Sequence, residues 1–288
     1  MIGAAKPTAD DAASYAVVAK HRKDKGESRP IELTSEVFAR YSSYLHTVFD
    51  PVGPAVDPLI SAADQSTLRD NEKCLTLVHF DSLRSAILKS VRAGKCAYCH
   101  QLRATEVDHY LPKSRFGEFS VYSPNLVPIC RKCNGIKLNR YRLTGGGRRY
   151  LHPYFDNLRE GSVQFLNALV VVDQVVTVEF GLIRPAGMSS DVWKVLRHQF
   201  EELNLAVRYM EDAAETIAGM VDVFYSHFDG GGAVEISRQL NKEKVSRERV
   251  YGPNHWWPVT LGALARSSEF CEGGFTLLGD RDAEIYAI

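Results

Sequence analysis

Cys96-Ala-Tyr-Cys99 and Cys130-Arg-Lys-Cys133 are the two segments of this 288-residue chain that decide its fold. A Cys-x-x-Cys turn directs two sulfur atoms at one point, and two such turns complete a tetrahedral site with four thiolate ligands. We therefore predict a zinc ion bound by Cys96, Cys99, Cys130 and Cys133. Because four thiolates leave no coordination position open, we expect this zinc to be structural and not to activate water.

The placement of the cysteines favours a metal site over disulfide bonds. Of six cysteines, four fall in the two pairs, whereas Cys74 and Cys271 are isolated. Paired short spacings in an intracellular chain are typical of metal binding. Two alternatives remain open, namely an iron site with the same ligands and four unrelated buried cysteines. The segment between the pairs has little apolar core of its own, so we expect metal binding to supply folding free energy there.

Between the two pairs lie side chains suited to phosphodiester hydrolysis. This reaction needs an activated water, a cation on the scissile phosphate and support for the leaving 3′ oxygen. Asp108 and His109 are adjacent, and on a strand their side chains would point to opposite sides. Asp108 can supply a hard oxygen ligand to a divalent metal ion. His109 titrates near neutral pH and suits a general base.

The segment 96–140 resembles the HNH (ββα-metal) endonucleases, specifically the branch clamped by two zinc-binding Cys-x-x-Cys pairs. In that branch a strand ends in Asp-His, a loop carries Asn-Leu, and a helix opens with Cys-Asn-x-x-Lys. Asp108-His109, Asn125-Leu126 and Cys133-Asn-Gly-Ile-Lys137 match these elements. Asn134 stands where some members have histidine, and many nucleases of this type carry asparagine there.

The resemblance implies a role for each matched residue. Asn125 ties the loop to the strand and orients the histidine backbone. Asn134 supplies the second protein ligand, beside Asp108, for a catalytic Mg²⁺ or Mn²⁺ ion. Lys137, one turn further along the helix, is placed to contact the substrate phosphate. Asp108, His109, Asn125 and Asn134 together form the predicted catalytic set.

Positive charge is concentrated in and around the same segment. The whole chain has 35 basic and 35 acidic residues, yet residues 111–150 carry nine lysines or arginines and one acid, Glu118. A local basic patch on a balanced body suits a protein that touches phosphate without coating DNA indiscriminately. We predict Lys113, Lys137 and Arg140 as substrate-binding residues, with a solvated charged surface as the alternative.

The favoured function is a metal-dependent endonuclease, with DNA as the preferred substrate and RNA, including tRNA, as an alternative. A second hypothesis is a catalytically silent zinc-ribbon module that only binds nucleic acid or protein, and a third is a scaffolding subunit. HNH proteins of this size with helical flanks resemble effectors of bacterial anti-phage systems, where an ATPase partner is expected, as in Septu-like systems. A restriction-type or mobile-element endonuclease is the runner-up setting.

We expect an α+β fold in which a small ββα module with its four-cysteine zinc site is embedded in a mainly helical frame with a short β-hairpin. The predicted regions are 1–93, helical; 94–150, the nuclease module; and 151–288, a hairpin plus helices. The sequence shows neither an apolar stretch of ~20 residues nor a secretory signal, so we expect a cytoplasmic protein without membrane contact.

Local patterns predict the elements outside the module. Residues 1–30 are polar and are expected to form a loose arm. A valine-rich stretch interrupted by Asp173-Gln174 predicts a hairpin over 163–180. Gly230–Gly232 is expected to end a long helix. The predicted helices lie at 31–50, 75–91, 192–228, 233–249 and after Trp257.

Two motifs outside the module are distinctive. His152-Pro-Tyr-Phe-Asp156 could flank a substrate groove. Asn254-His-Trp-Trp-Pro258 is expected to lie in the core, with a partner surface as the alternative.

Overall fold

The computed structural model describes residues 3–156 and 163–281, and within them it has the predicted α+β fold. Helices dominate, together with two antiparallel sheets of two strands each. The described residues divide into two compact units, 3–156 with 194–199, and 163–193 with 200–281. The N-terminal helices and the cysteine-bracketed module therefore belong to one unit. The division into 1–93, 94–150 and 151–288 stays a prediction about the organisation of the sequence.

The N-terminal part of the first unit is helical, and its first helix lies in the region where a loose arm was expected. They are α1 (Asp11–Asp24), α2 (Arg29–Glu32), α3 (Thr34–Val48), α4 (Ala62–Arg69) and α5 (Asp81–Lys89). Asp10 caps α1 by accepting a hydrogen bond from Ala13 N at 2.9 Å, and Tyr15 and Val18 of α1 are buried. The prediction of a loose arm over 1–30 is therefore wrong, because a narrow apolar face was hidden among polar residues.

The two helices predicted at 31–50 and 75–91 have different outcomes. The first is confirmed as α2 and α3, whereas the second is confirmed only from Asp81 onward. Between α4 and α5 the chain forms 3-10 turns at Asp70–Thr76 and Val78–Phe80. Leu77 lies between the turns with an extended backbone (φ −66°, ψ 146°), which prevents a continuous helix.

An apolar cluster joins these helices to the module. Its buried members come from α1, α3, α4 and α5, from the connections between these helices, and from the module itself, where Leu126 opens the second strand. They are Tyr15, Val18, Ala19, Leu33, Val37, Ile60, Leu68, Cys74, Phe80, Leu83, Ile87, Val121 and Leu126. The N-terminal helices therefore support the hairpin that carries the predicted site.

The module is a hairpin followed directly by a short helix. β1 (Glu106–His109) pairs antiparallel with β2 (Leu126–Ile129), so that His109 lies opposite Leu126. α6 (Arg131–Lys137) follows β2, and Cys130 caps it by accepting a hydrogen bond from Cys133 N. The helix ends where Leu138 takes a positive φ of 48°. This ββα order matches the expected module.

The second unit contains a hairpin and helices. β3 (Leu166–Val172) pairs antiparallel with β4 (Val176–Leu182), which confirms the hairpin predicted over 163–180. The helices from here on are α7 (Ser190–Glu202), α8 (Leu205–Ala218), α9 (Val221–Tyr251), α10 (Trp256–Arg266) and α11 (Ser268–Cys271). In the described parts of the chain, 3–156 and 163–281, no helix is long and apolar enough to cross a membrane.

The single long helix predicted over 192–228 is wrong. Asn204, with a left-handed φ of 49°, separates α7 from α8, and α9 begins only at Val221. The expectation that Gly230–Gly232 ends a helix is confirmed, because α9 consists of two helices joined at a kink with non-helical backbone at Gly231 and Gly232, and the second matches the helix predicted at 233–249. Gly232 has a φ of 66°, which glycine adopts at low cost, so the glycines form the break between the two helices.

The motif at 254–258 lies in the core of the second unit, as expected. Asn254 Oδ1 accepts hydrogen bonds from Phe165 N at 2.8 Å and Leu166 N at 3.0 Å, at the start of the hairpin. The His255 side chain caps α10 by accepting a hydrogen bond from Trp257 N at 3.1 Å. The motif therefore binds the start of β3 and caps the N-terminus of α10 inside this unit.

Candidate active site and metal centre

The four paired cysteines converge on one point. Their Sγ atoms all lie within 4.8 Å of one another, and all four side chains are buried. Cys99 Sγ and Cys130 Sγ, one from each pair, are 3.8 Å apart, and none of these four residues forms a disulfide. A tetrahedral site with Zn–S bonds of about 2.3 Å has sulfur–sulfur edges of about 3.8 Å. The cluster therefore fits a structural zinc ion.

Backbone amides point at two of these sulfur atoms. Gln101 N donates to Cys99 Sγ, and Cys133 N donates to Cys130 Sγ, each at 3.5 Å. Hydrogen bonds from the neighbouring thiols lower the pKa of Cys99, whereas burial raises the pKa of Cys96. Because hydrogen-bond donors stabilise a charged acceptor, the two backbone amides favour the thiolate form of the sulfur atoms at which they point.

His109 ends β1, and a backbone carbonyl fixes its ring. Nε2 lies 2.8 Å from Ser120 O, and since a carbonyl oxygen can only accept, Nε2 carries the proton. The ring is buried, and burial lowers the pKa of His109 below its ordinary value. A neutral ring protonated at Nε2 keeps a lone pair on Nδ1, as a general base requires.

Asp108 contacts Lys137, which reaches β1 from α6. Lys137 Nζ lies 2.7 Å from Asp108 Oδ2 and donates a hydrogen bond to His109 O at 2.8 Å. The Lys137 side chain is 1% exposed. Its ammonium group therefore joins the helix to the end of the strand beneath the surface.

Asn134 also reaches back from α6 to β1. Its Nδ2 donates a hydrogen bond to Glu106 Oε2 at 2.8 Å. Glu106 and Asp108 are two residues apart on a strand, so their side chains lie on the same face. Because Asn134 contacts Glu106 and Lys137 contacts Asp108, α6 packs against this face of β1. Asp108 and Asn134 therefore share one side of the module.

The donor set on this side fits a hard divalent ion. Asp108 offers a carboxylate and Asn134 an amide oxygen, and Mg²⁺ and Mn²⁺ prefer oxygen ligands of this kind. Asp108 Oδ2 is buried and is paired with the Lys137 ammonium group at 2.7 Å. Two protein ligands leave most of the shell to water and phosphate oxygens, which is the usual arrangement for Mg²⁺.

Asn125 is fully buried and holds the loop that follows β1. Its Oδ1 accepts from Leu111 N at 2.8 Å, and its Nδ2 donates to Leu111 O at 3.0 Å and to Phe119 O at 3.2 Å. Phe119 precedes Ser120, whose carbonyl fixes the His109 ring. Asn125 thus connects the chain after His109 with the segment that orients its imidazole.

A buried chain of hydrogen bonds reaches Asn125 from outside the motif. His152 Nδ1 accepts from Tyr154 N at 3.2 Å, so its proton lies on Nε2, which is 3.0 Å from the Tyr44 hydroxyl. That hydroxyl donates to Asn125 Oδ1 at 3.0 Å. Burial holds the pKa of His152 well below its ordinary value and keeps the ring neutral. His152 therefore lies inside the unit and does not flank an open groove.

The three predicted substrate-binding residues lie in different environments. Arg140 is exposed just after α6. Lys113 is partly exposed and forms an ion pair with Glu72 at 2.6 Å. Lys137, expected to be available to a substrate, is buried, and its ammonium group contacts Asp108 and the carbonyl of His109. It lies three residues after Asn134 on the same helix face, and that face packs against β1.

The other basic residues of 111–150 also differ in how exposed they are. Arg148 is buried, pairs with both carboxylate oxygens of Asp156 and lies 4.7 Å from the centre of the Phe49 ring. The exposed members are Arg115, Arg131, Lys132, Arg140 and Arg142. Three of these lie on α6 or just after it, so the positive charge available to a substrate is smaller than the sequence count and lies close to the site.

Sequence reasoning missed Glu106 and Tyr44 as contributors to the site, and it expected His152 at a groove and not in the hydrogen-bond chain that reaches Asn125. Glu106 had a detectable signal, because alternation along a strand places it on the same face as Asp108. The contacts of Tyr44 with Asn125 and His152 had none, because they span 81 and 108 residues of sequence. Such partners are brought together only by the packing of the whole unit.

Comparison with known proteins agrees with this geometry. Residues 96–140 match the family model of the HNH endonucleases, which confirms the resemblance seen in the sequence and identifies this segment as an HNH endonuclease domain. The chain is 26% identical over 219 residues to Protein ea31 of Escherichia phage lambda, a match covering 73% of this chain and 72% of that protein. It is 39% identical over 49 residues to Septu protein PtuB of Bacillus thuringiensis, covering 15% and 19%. No solved structure matches the chain significantly.

Proposed function

We propose that the HNH endonuclease domain is an active, metal-dependent nuclease that hydrolyses phosphodiester bonds, with DNA as its preferred substrate. The His109 ring carries this proposal. Ser120 O holds its Nε2, burial lowers its pKa, and among the described residues Nδ1 has no hydrogen-bond partner. A neutral ring held in one orientation, with one basic atom left over, is the arrangement that general-base catalysis requires.

In the proposed reaction, His109 Nδ1 takes a proton from a water molecule whose oxygen attacks phosphorus. The P–O3′ bond breaks, so the products carry 5′-phosphate and 3′-hydroxyl ends, and solvent supplies the proton to the leaving oxygen. Asp108 and Asn134 would hold Mg²⁺ or Mn²⁺, which when bound supplies positive charge to the scissile phosphate and the leaving oxygen. Lys137 positions Asp108 and the backbone of His109 from one side.

The substrate-binding role is best suited to the exposed cations. We propose that Arg140 and Lys113 contact substrate phosphates, with Lys113 exchanging its partner Glu72 for phosphate. Lys137 is buried between Asp108 and His109 and is proposed as a positioning residue. RNA stays the alternative substrate, because attack by water does not involve the 2′-hydroxyl group.

The proposal is tested by incubating the purified full chain with plasmid, single-stranded DNA and tRNA, in Mg²⁺ or Mn²⁺. We expect metal-dependent cleavage that falls by about 10²- to 10⁴-fold in His109→Ala, the usual contribution of a general base. His79→Ala is the matched control, because His79 is exposed and lies outside the site. Equal cleavage by His109→Ala and wild type would contradict the proposal, and binding without any cleavage would favour the silent zinc-ribbon module.

For the biological setting we propose a cytoplasmic effector of bacterial anti-phage defence that acts with an ATPase partner. The similarity of 49 residues to a Septu protein supports this setting. The longer similarity, over 219 residues, is to a phage protein, and it favours a mobile-element endonuclease as the second candidate. Co-expression with neighbouring gene products distinguishes them, since a defence effector should co-purify with a partner and lower phage titre only in its presence.

A further inference from the structure

Glu106 lies beside the proposed catalytic ion site without a role in the reaction described above. It is the first residue of β1 and shares a strand face with Asp108. Its Oε2 accepts a hydrogen bond from Asn134 Nδ2 at 2.8 Å. Glu106 therefore touches one of the two residues that would hold the divalent ion.

The chemistry of this contact fixes the orientation of the Asn134 amide. An amide group has a donating end and an accepting end, which a rotation of the side chain exchanges. An ionised carboxylate can only accept, so the end of Asn134 that faces Glu106 must be the NH₂ group. Oδ1 is consequently the end left available to a cation, which an NH₂ group in its place would repel.

We propose that Glu106 is a positioning residue that sets the Asn134 amide with its oxygen available to the divalent ion. The inference rests on the proposed function only in assigning that ion to Asp108 and Asn134. It predicts that Glu106 acts on metal affinity through Asn134 and not as a ligand of its own. Substitution of Glu106 should therefore have no effect once Asn134 is absent.

The test is a double-mutant cycle on Mn²⁺ affinity, measured on the zinc-loaded full chain by electron paramagnetic resonance of free Mn²⁺. Glu106→Gln keeps the shape of the side chain but lets it donate as well as accept, so either orientation of Asn134 is allowed. We expect Glu106→Gln to weaken Mn²⁺ binding by about 10- to 100-fold, as for other groups that orient metal ligands. In an Asn134→Ala background the same substitution should change the affinity by less than about twofold.

Two further variants control for charge and for folding. Glu72→Gln removes one carboxylate of the same unit that pairs with Lys113 and should leave Mn²⁺ affinity nearly unchanged. If the glutamine variant melts below the assay temperature, Glu106→Ser replaces it, because serine removes the carboxylate without added bulk. We expect Glu106→Ser to show the same loss of Mn²⁺ affinity.

The outcomes separate this inference from the proposed function. A wild-type chain that binds no Mn²⁺ contradicts both. Wild-type binding with unchanged affinity in Glu106→Gln overturns the inference alone. An equal loss in the wild-type and Asn134→Ala backgrounds overturns the positioning role and makes Glu106 a direct ligand.

Discussion

Lys137 and Arg140 are neighbouring cations of the same segment, but the structure places their side chains in different surroundings. Asn134 and Lys137 are three residues apart and lie on one face of α6, and that face packs against β1. The long lysine side chain consequently reaches inward to Asp108 and to the carbonyl of His109. Arg140, beyond the end of the helix, is exposed. We therefore propose that two neighbouring cations have different roles, with Lys137 positioning the site and Arg140 contacting the substrate.

Substitution of the two cations should therefore have different kinetic signatures. Lys137→Met should lower kcat by about 10- to 100-fold, because Asp108 and the end of β1 lose their common partner. Arg140→Ala should instead weaken substrate binding and reduce the slope of log K against log salt by about one. Single-turnover cleavage at several salt concentrations measures both. A reduced salt slope in Lys137→Met would show that its ammonium group contacts phosphate after all.

At the scale of elements, the loop between β1 and β2 is held by hydrogen bonds from two segments that are distant from it in sequence. Tyr44 belongs to α3, and His152 follows the module, yet both join the hydrogen-bond chain that ends on Asn125. Asn125 in turn holds the segment that leads to Ser120 and the His109 ring. The helical frame thus contributes to the orientation of His109, the proposed general base.

Tyr44→Phe tests this connection, because it removes one hydroxyl group and keeps the ring. His152 Nε2 then loses its buried partner, which should lower the free energy of unfolding by about 1–3 kcal/mol. Tyr122→Phe is the matched control, since among the described residues the Tyr122 hydroxyl donates only to the carbonyl of Tyr41, at 3.3 Å. Urea unfolding measures the stability of both variants. An equal decrease in the free energy of unfolding in Tyr122→Phe and Tyr44→Phe would contradict a special role for the hydrogen-bond chain that ends on Asn125.

The elements could be predicted from sequence where local chemistry determines them. The cysteine pairs, the Asp-His strand end and the Val-rich hairpin each have a signal within a few residues, and these elements form as expected. The long helix predicted over 192–228 failed because Asn204 adopts a left-handed backbone that the apolar period does not reveal. Within the arm expected at 1–30, α1 forms because its apolar face finds partners in α3, where Phe38 and Tyr41 contact Tyr15, and no local pattern encodes this contact.

At the scale of the whole molecule, we expect zinc binding by the four-cysteine cluster to determine whether the site forms. The Cys96 and Cys130 pairs lie at the two ends of the segment that contains β1 and β2, so a bound ion closes that segment. Structural zinc contributes about 10–16 kcal/mol in small zinc domains, which is as large as the stability of a typical domain. Loss of the ion should therefore unfold the module.

Cys130→Ala should abolish zinc binding and nuclease activity together. Cys74→Ala is the matched control, because Cys74 is also buried in this unit but lies outside the cluster, and it should keep both. Elemental analysis gives the zinc content, and thermal melting gives the stability. Purified wild-type protein that carries iron, or a Cys130→Ala variant that melts like wild type, would contradict the structural zinc site.

The candidate residues of the site could be named from the sequence, but the residues that support them could not. Asp108, His109, Asn125 and Asn134 stand in a recognisable order, so the sequence identified them as candidates. Whether Lys137 points outward or inward depends on how α6 packs against β1, and that information is not local. The same is true of Tyr44, whose contact with Asn125 crosses 81 residues.

The most direct test of the proposed hydrolysis is cleavage of DNA in water enriched in oxygen-18, followed by mass spectrometry of the product ends. We predict one oxygen-18 atom in the 5′-phosphate of each new end, a 3′-hydroxyl group on the other, and loss of this product in His109→Ala. New ends that carry a 3′-phosphate, or oxygen-18 incorporation at full rate in His109→Ala, would contradict water attack assisted by His109.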